Sequence, residues 1–105
     1  ELFDLIILDP PKFAPTAAHA ERAARAYRDI NVFGFRLLAA GGLLLTYSCS
    51  GGISRQHFRE IVADAAVAAG REARILRHLA APADHPVGLG FSEGEYLKGL
   101  LCQAD

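Results

Sequence analysis

Residues 2–11 read LFDLIILDPP, and these ten positions decide the fold. Positions 2–8 are a nearly continuous apolar run rich in β-forming side chains, the composition of a strand buried on both faces of a parallel sheet. The run stops at Asp9-Pro10-Pro11. Proline has no N–H to give to a sheet ladder and restricts the residue before it, so Asp9 stands at the carboxyl end of the strand, where the chain turns outward.

Working outward, helical spacing of Ala20, Ala24, Tyr27, Ile30, Asn31, Gly34, Leu37 and Leu38 predicts a helix over 16–40, with Thr16 as N-cap and Gly41-Gly42 as its stop. Residues 43–48 (LLLTYS) read as a second short buried strand, followed by a Cys-Ser-Gly-Gly turn. Ser54 caps the next helix. Ile53 and Phe58 occupy the positions of a hydrophobic staple, while Phe58, Ile61, Val62, Ala65, Ala66 and Ala69 form the apolar face and Gly70 the stop. Residues 72–80 and 96–103 read as two further strands around a Pro/Gly/His loop at 81–95, of a length that is usually functional. The order predicts an α/β fold, βαβαββ, with a parallel sheet ending in an antiparallel strand pair. Because the sequence opens inside a strand with no turn or cap before it, the fold is expected to begin upstream, with residues 1–105 forming part of one domain.

Composition narrows the function classes. With 105 residues and 51% hydrophobic side chains the chain can bury a core. Eleven Lys and Arg against 12 Asp and Glu leave no basic field of the kind that announces a nucleic-acid partner. No apolar run reaches the ~18 residues of a membrane span. The two cysteines, Cys49 and Cys102, lack the spacing of a zinc site or a disulfide framework, so no metal is expected and a reducing cytoplasm fits.

Ligands of open α/β sheets bind at the carboxyl ends of the strands, and two unusual clusters fall there: residues 9–13 (DPPKF) and 48–50 (SCS). The first can be a stiff strand exit or a site. In the second, Cys49 lies past its strand among Ser and Gly, a few residues before the positive end of the Ser54 helix, a setting that favours thiolate and makes it a candidate nucleophile.

Five blocks, DPPKF (9–13), AYRDIN (26–31), LLAAGGLLLTYSCSG (37–51), ADHP (83–86) and EGEYLKG (93–99), resemble, in order and spacing, the bacterial 23S rRNA 5-methylcytosine methyltransferase family. The family's enzymes combine an RNA-binding PUA domain with a Rossmann-like, S-adenosylmethionine-dependent domain, and the chain resembles the C-terminal half of the latter. The resemblance implies a covalent mechanism in which a thiolate adds to cytosine C6 so that C5 can accept the methyl group. Cys49 matches the motif cysteine and Asp9 the catalytic acid that steadies the ring. Pro10 and Pro11 shape the base pocket, and Asp9 and Pro10 border the cofactor. The second cysteine that related enzymes carry after the acidic motif is replaced here by proline and lysine, so the base that removes the C5 proton is open between water, Asp9 and His85.

The remaining substrate-binding expectations each have a structural alternative. Lys12 and Phe13 bind a phosphate and stack on a flipped base, or Phe13 anchors its loop. Tyr27 and Asn31, at i and i+4, line the pocket or form a hydrogen-bonded pair under the sheet end. His85 acts in catalysis or ties its loop. A glycine-rich cofactor turn is absent, and Gly88-Leu89-Gly90 lacks the strand-turn-helix context to replace it. The expected partner is large-subunit rRNA, with no membrane. Two other readings stand beside this one: a nitrogen methyltransferase using DPP without a thiol, and a non-catalytic fragment that self-associates into a homo-oligomer through residues 3–8.

Overall fold

The computed structural model describes residues 1–10, 19–49, 52–79 and 98–105. They form β1 (Phe3–Leu8), α1 (Ala20–Leu37), β2 (Leu38–Ser48), α2 (Arg55–Ala68), β3 (Ala73–Leu79) and β4 (Lys98–Ala104). One sheet runs β1-β2-β4-β3, with β1 parallel to β2 and β4 antiparallel to both its neighbours. The α/β class and the antiparallel ending are as the sequence predicts, with β4 set between β2 and β3.

Both helices cover the same face. α1 lies against β1 and β2, α2 against β4, and the two pack on each other. Ile6, Leu8, Leu44, Leu100 and Cys102 meet the core formed with Tyr27, Phe35, Phe58 and Ile61. Gly34 sets the approach of α1, since a Cβ there would stand 3.0 Å from Leu8 and 3.2 Å from Leu44. The other face of the sheet is uncovered among the described residues, which corrects the expectation of a doubly buried first strand: Leu5 is 53% and Ile7 60% exposed. Among the described residues β1 also has a strand neighbour on one side only.

α2 follows its sequence signals closely. The Ser54 hydroxyl accepts from the His57 N–H at 3.0 Å, and Ile53 and Phe58 are buried. Gly70 takes φ +71°, while Arg71 N–H donates to the Ala66 carbonyl and Gly70 N–H to that of Val67. That pairing is a Schellman close, and it needs the left-handed conformation that glycine adopts without strain.

α1 departs from expectation. The proposed Thr16 cap lies outside the described residues; the helix is described from Ala20 and ends at Leu37, not at Gly41-Gly42. Its last carbonyls are held by a distant side chain, because the Arg71 guanidinium donates to the carbonyls of Phe35 (2.6 Å) and Leu38 (2.7 Å), with a longer contact to Ala39. The chain can therefore pass straight from helix into strand. The glycine pair serves β2 instead: Gly41 has φ +79°, and a Cβ on Gly42 would meet the Ala39 carbonyl at 2.9 Å.

The same guanidinium reaches the Asp105 carboxylate and carbonyl, tying the helix end to the tail of the sheet. Arg71→Ala is expected to lose about 2–4 kcal/mol, since it leaves inward-facing carbonyls without their charged donor. Arg71→Lys is expected to recover only part of this, a point charge being unable to span the set as a planar fork does. Urea denaturation midpoints check both; an unchanged midpoint for Arg71→Ala would show that water replaces the clasp at no cost.

Candidate active site

The register Leu8↔Thr46 brings the carboxyl ends of β1 and β2 together. Asp9 follows β1 directly and is exposed, while Pro10 behind it is buried. Cys49 follows β2 directly and is half-buried. Five residues later the amino end of the 14-residue α2 begins at its Ser54 cap, so the helix turns its positive pole toward this end of the sheet. The structure thus places Asp9, Pro10 and Cys49 at one sheet end on neighbouring strands. Pro11, Lys12, Phe13 and His85 lie outside the described residues.

Tyr27 and Asn31, expected either to line the pocket or to form a hydrogen-bonded pair, stand within the core. Both are 0% exposed. The Asn31 amide donates to the Tyr27 carbonyl at 2.7 Å, and the Tyr27 ring meets Phe58 edge-on at 5.8 Å. Tyr27 packs the middle of α1 against α2 through Phe58, and Asn31 braces the same stretch of α1 from within the helix.

Two charged groups that the sequence reading left aside belong to this end as well. Lys98 opens β4, pairs with Ser48 across the ladder and is 6% exposed. Burial lowers its pKa from the ordinary lysine value, Arg55 at the start of α2 lowers it further, and Cys49 acts in the opposite sense. The strand alternation carried the signal, for Lys98, Leu100 and Cys102 share one face and the latter two are apolar. Cys102 contrasts with Cys49: it is a core residue whose burial pushes the thiol up to about 11.

Two hollows, about 420 and 650 Å³, lie toward the opposite end of the sheet, around Glu72, Arg74 and Gln103 and between α2 and β3. Among the described residues no group of three or more His, Cys, Asp or Glu could hold a metal ion, and no helix is long and apolar enough to cross a membrane.

No family model matches the chain. Individual relatives do. It is 56% identical over 104 residues to ribosomal RNA large subunit methyltransferase I of Aeromonas salmonicida and 53% identical over 104 residues to that of Tolumonas auensis, in each case over 99% of this chain. The chain spans about a quarter (26%) of the length of these curated relatives. In fold it matches the crystal structure of SMU.776, named a methyltransferase and complexed with SAH, with a TM-score of 0.74 at 20% identity over 97% of this chain and 26% of that one. A SAM-dependent methyltransferase from Streptococcus mutans gives 0.69 at 18% identity. Over nearly all of its length, then, the chain is similar to one segment of the ribosomal RNA large subunit methyltransferase I proteins, and its fold is that of a segment of a methyltransferase.

Proposed function

We propose that the chain is the C-terminal part of the catalytic domain of an S-adenosylmethionine-dependent methyltransferase that makes 5-methylcytosine in large-subunit rRNA. The observation that carries the proposal is the meeting of Asp9 and Cys49 at one sheet end, in a segment 56% identical to a ribosomal RNA methyltransferase. Such a substrate places the enzyme in the cytoplasm, where ribosomes are assembled.

In this reading the Cys49 thiolate gives its electron pair to C6 of the target cytosine, and the ring density displaced toward C5 makes that carbon nucleophilic. Asp9, exposed at the facing strand end, hydrogen-bonds the ring edge and steadies the charge that builds up as the C–S bond forms. S-adenosylmethionine, when bound, supplies the methyl group. Loss of the C5 proton to water or a neighbouring base then returns the electron pair to sulfur and frees Cys49. Of the described residues, exposed Asp9 and buried Pro10 fit the inner border of a cofactor site; its glycine-rich turn has no counterpart in this sequence.

The test is methyl transfer by the complete enzyme from labelled S-adenosylmethionine to unmodified large-subunit rRNA, followed by nucleoside analysis. 5-Methylcytidine is the expected product. A methyl group on nitrogen would assign the DPP motif to the thiol-free alternative.

We infer further that residues 1–105 taken alone self-associate. Among the described residues β1 offers an unpaired strand edge, and Phe3, Leu5 and Ile7 are exposed beside it, a template for pairing with a second copy. Light scattering on the 105-residue chain is expected to give a dimer or larger species, and a monodisperse monomer would sink the idea.

A further inference from the structure

The amino end of a helix is its positive pole, and acidic side chains are the ones its free N–H groups favour there. α2 is built the other way. Its first turn holds Arg55 and His57 and no acid, and Arg59 follows a turn on. The first acid along the helix, Glu60, accepts from the Gln56 amide at 3.0 Å. β3 ends and β4 begins beside this pole, so that Arg55, His78 and Lys98 surround one crevice, lined also by Phe58 and Leu100. Among the described residues no ion pair reaches Arg55, Arg59 or His78. Cations gathered on a helix pole repel one another and the pole, an arrangement that costs stability until an anion arrives.

The crevice belongs to the same end of the sheet as Asp9 and Cys49. Neighbouring strands stand about 4.8 Å apart, which sets the rim between β4 and β3 about 5–10 Å from the end of β2. Asp9 stands on the far side of β2. The chain as a whole has no basic excess, with 11 Lys and Arg against 12 Asp and Glu, yet it concentrates positive charge at this point.

We propose that the rim formed by Arg55, His78 and Lys98 at the amino end of α2 is a docking point for a backbone phosphate of the RNA, beside the nucleotide to be methylated. The proposal rests on reading large-subunit rRNA as the substrate. The crevice measures about 20 Å³, room for about one water, so a phosphate rests across its mouth and does not sink in. Arg55, exposed on the helix, offers a guanidinium fork to two phosphate oxygens, and His78, exposed on the edge strand, offers a ring N–H. Lys98 lends its charge from beneath without giving up its own interaction. So shallow a rim holds a free ion weakly. It suits a phosphate that belongs to a polymer, whose other contacts bring it there and whose register it then fixes without reading a base.

The test measures binding of unmodified large-subunit rRNA to the complete enzyme over a range of salt concentrations. Arg55→Gln is expected to raise Kd about three- to tenfold near physiological salt and to lower the slope of log Kd against log salt by about 0.7–1, the mark of one lost phosphate contact. Arg55→Glu separates recognition from folding, because an acid on the helix pole next to Lys98 is favourable in the free protein. Its Kd is expected to rise about tenfold or more while its Tm equals or exceeds that of the parent. Arg36→Gln removes the same charge from the last turn of α1, at the opposite end of the sheet, and is expected to bind as the parent does. Unchanged Kd and slope in both Arg55 variants would overturn the assignment. An equal loss in Arg36→Gln would overturn it too, by showing only a general attraction, as would a fall in Tm alongside the loss in Arg55→Glu, which would make Arg55 a structural residue. Failure of the rRNA reading looks different, since the unsubstituted enzyme would then neither bind nor methylate this RNA.

Discussion

Replacing Cys49 by alanine in the complete enzyme is expected to lower kcat by ~10⁴-fold or more, because the step it removes is the one that makes C5 reactive. Cytosine C5 is a poor nucleophile, and no positioning of the methyl donor compensates for a ring that has not been activated. The fold should tolerate the change: Cys49 lies past the end of β2, is half-buried, and has its neighbours Ser48 and Ile53 fixed independently in the core. RNA carrying 5-fluorocytosine gives the matching positive result. Fluorine at C5 cannot leave as a proton does, so the unsubstituted enzyme should remain covalently joined to the RNA, and the adduct should map to the Cys49 peptide. Equal trapping by Cys49→Ala would remove Cys49 from the mechanism, and undiminished methyl transfer by that variant would favour chemistry at nitrogen.

What the sequence revealed of this fold depended on the distance over which each feature is determined. α2 was legible end to end, because Ser54, Ile53, Phe58 and Gly70 act within a turn of the helix they delimit. The end of α1 was not. Its carbonyls are satisfied by Arg71, more than 30 residues further on, and the glycines at 41–42 fall instead inside β2, where the pairing with β1 shifts register. Residues 2–8 were correctly read as a strand, but an apolar run does not say how many of its faces find a partner, and Leu5 and Ile7 are open. The site divides in the same way. Asp9 and Cys49 could be placed at one sheet end from strand order alone. The burial of Tyr27 and Asn31 depends on how α1 packs against α2, and the burial of Lys98 on a ladder between strands 50 residues apart in the chain, which only the register Ser48↔Lys98 supplies.

Asp9 offers the sharpest separation of chemistry from folding. Its carboxylate stands outside the core on an exposed strand exit, while the next residue, Pro10, is buried. Asp9→Asn keeps the size and hydrogen-bonding shape of the side chain and removes its charge and its capacity to exchange a proton. In the complete enzyme the substitution is expected to reduce kcat by ~10²-fold, the usual worth of a placed acid or base, and to leave Tm within about a degree of the parent. If the 5-fluorocytosine adduct still forms but more slowly, the loss lies in stabilising the ring as sulfur attacks, which is the step assigned to Asp9. A fall of several degrees in Tm with unimpaired specific activity would instead make Asp9 a turn residue. The ring-stabilising role would then pass to a group on the segment after Pro10 or to water.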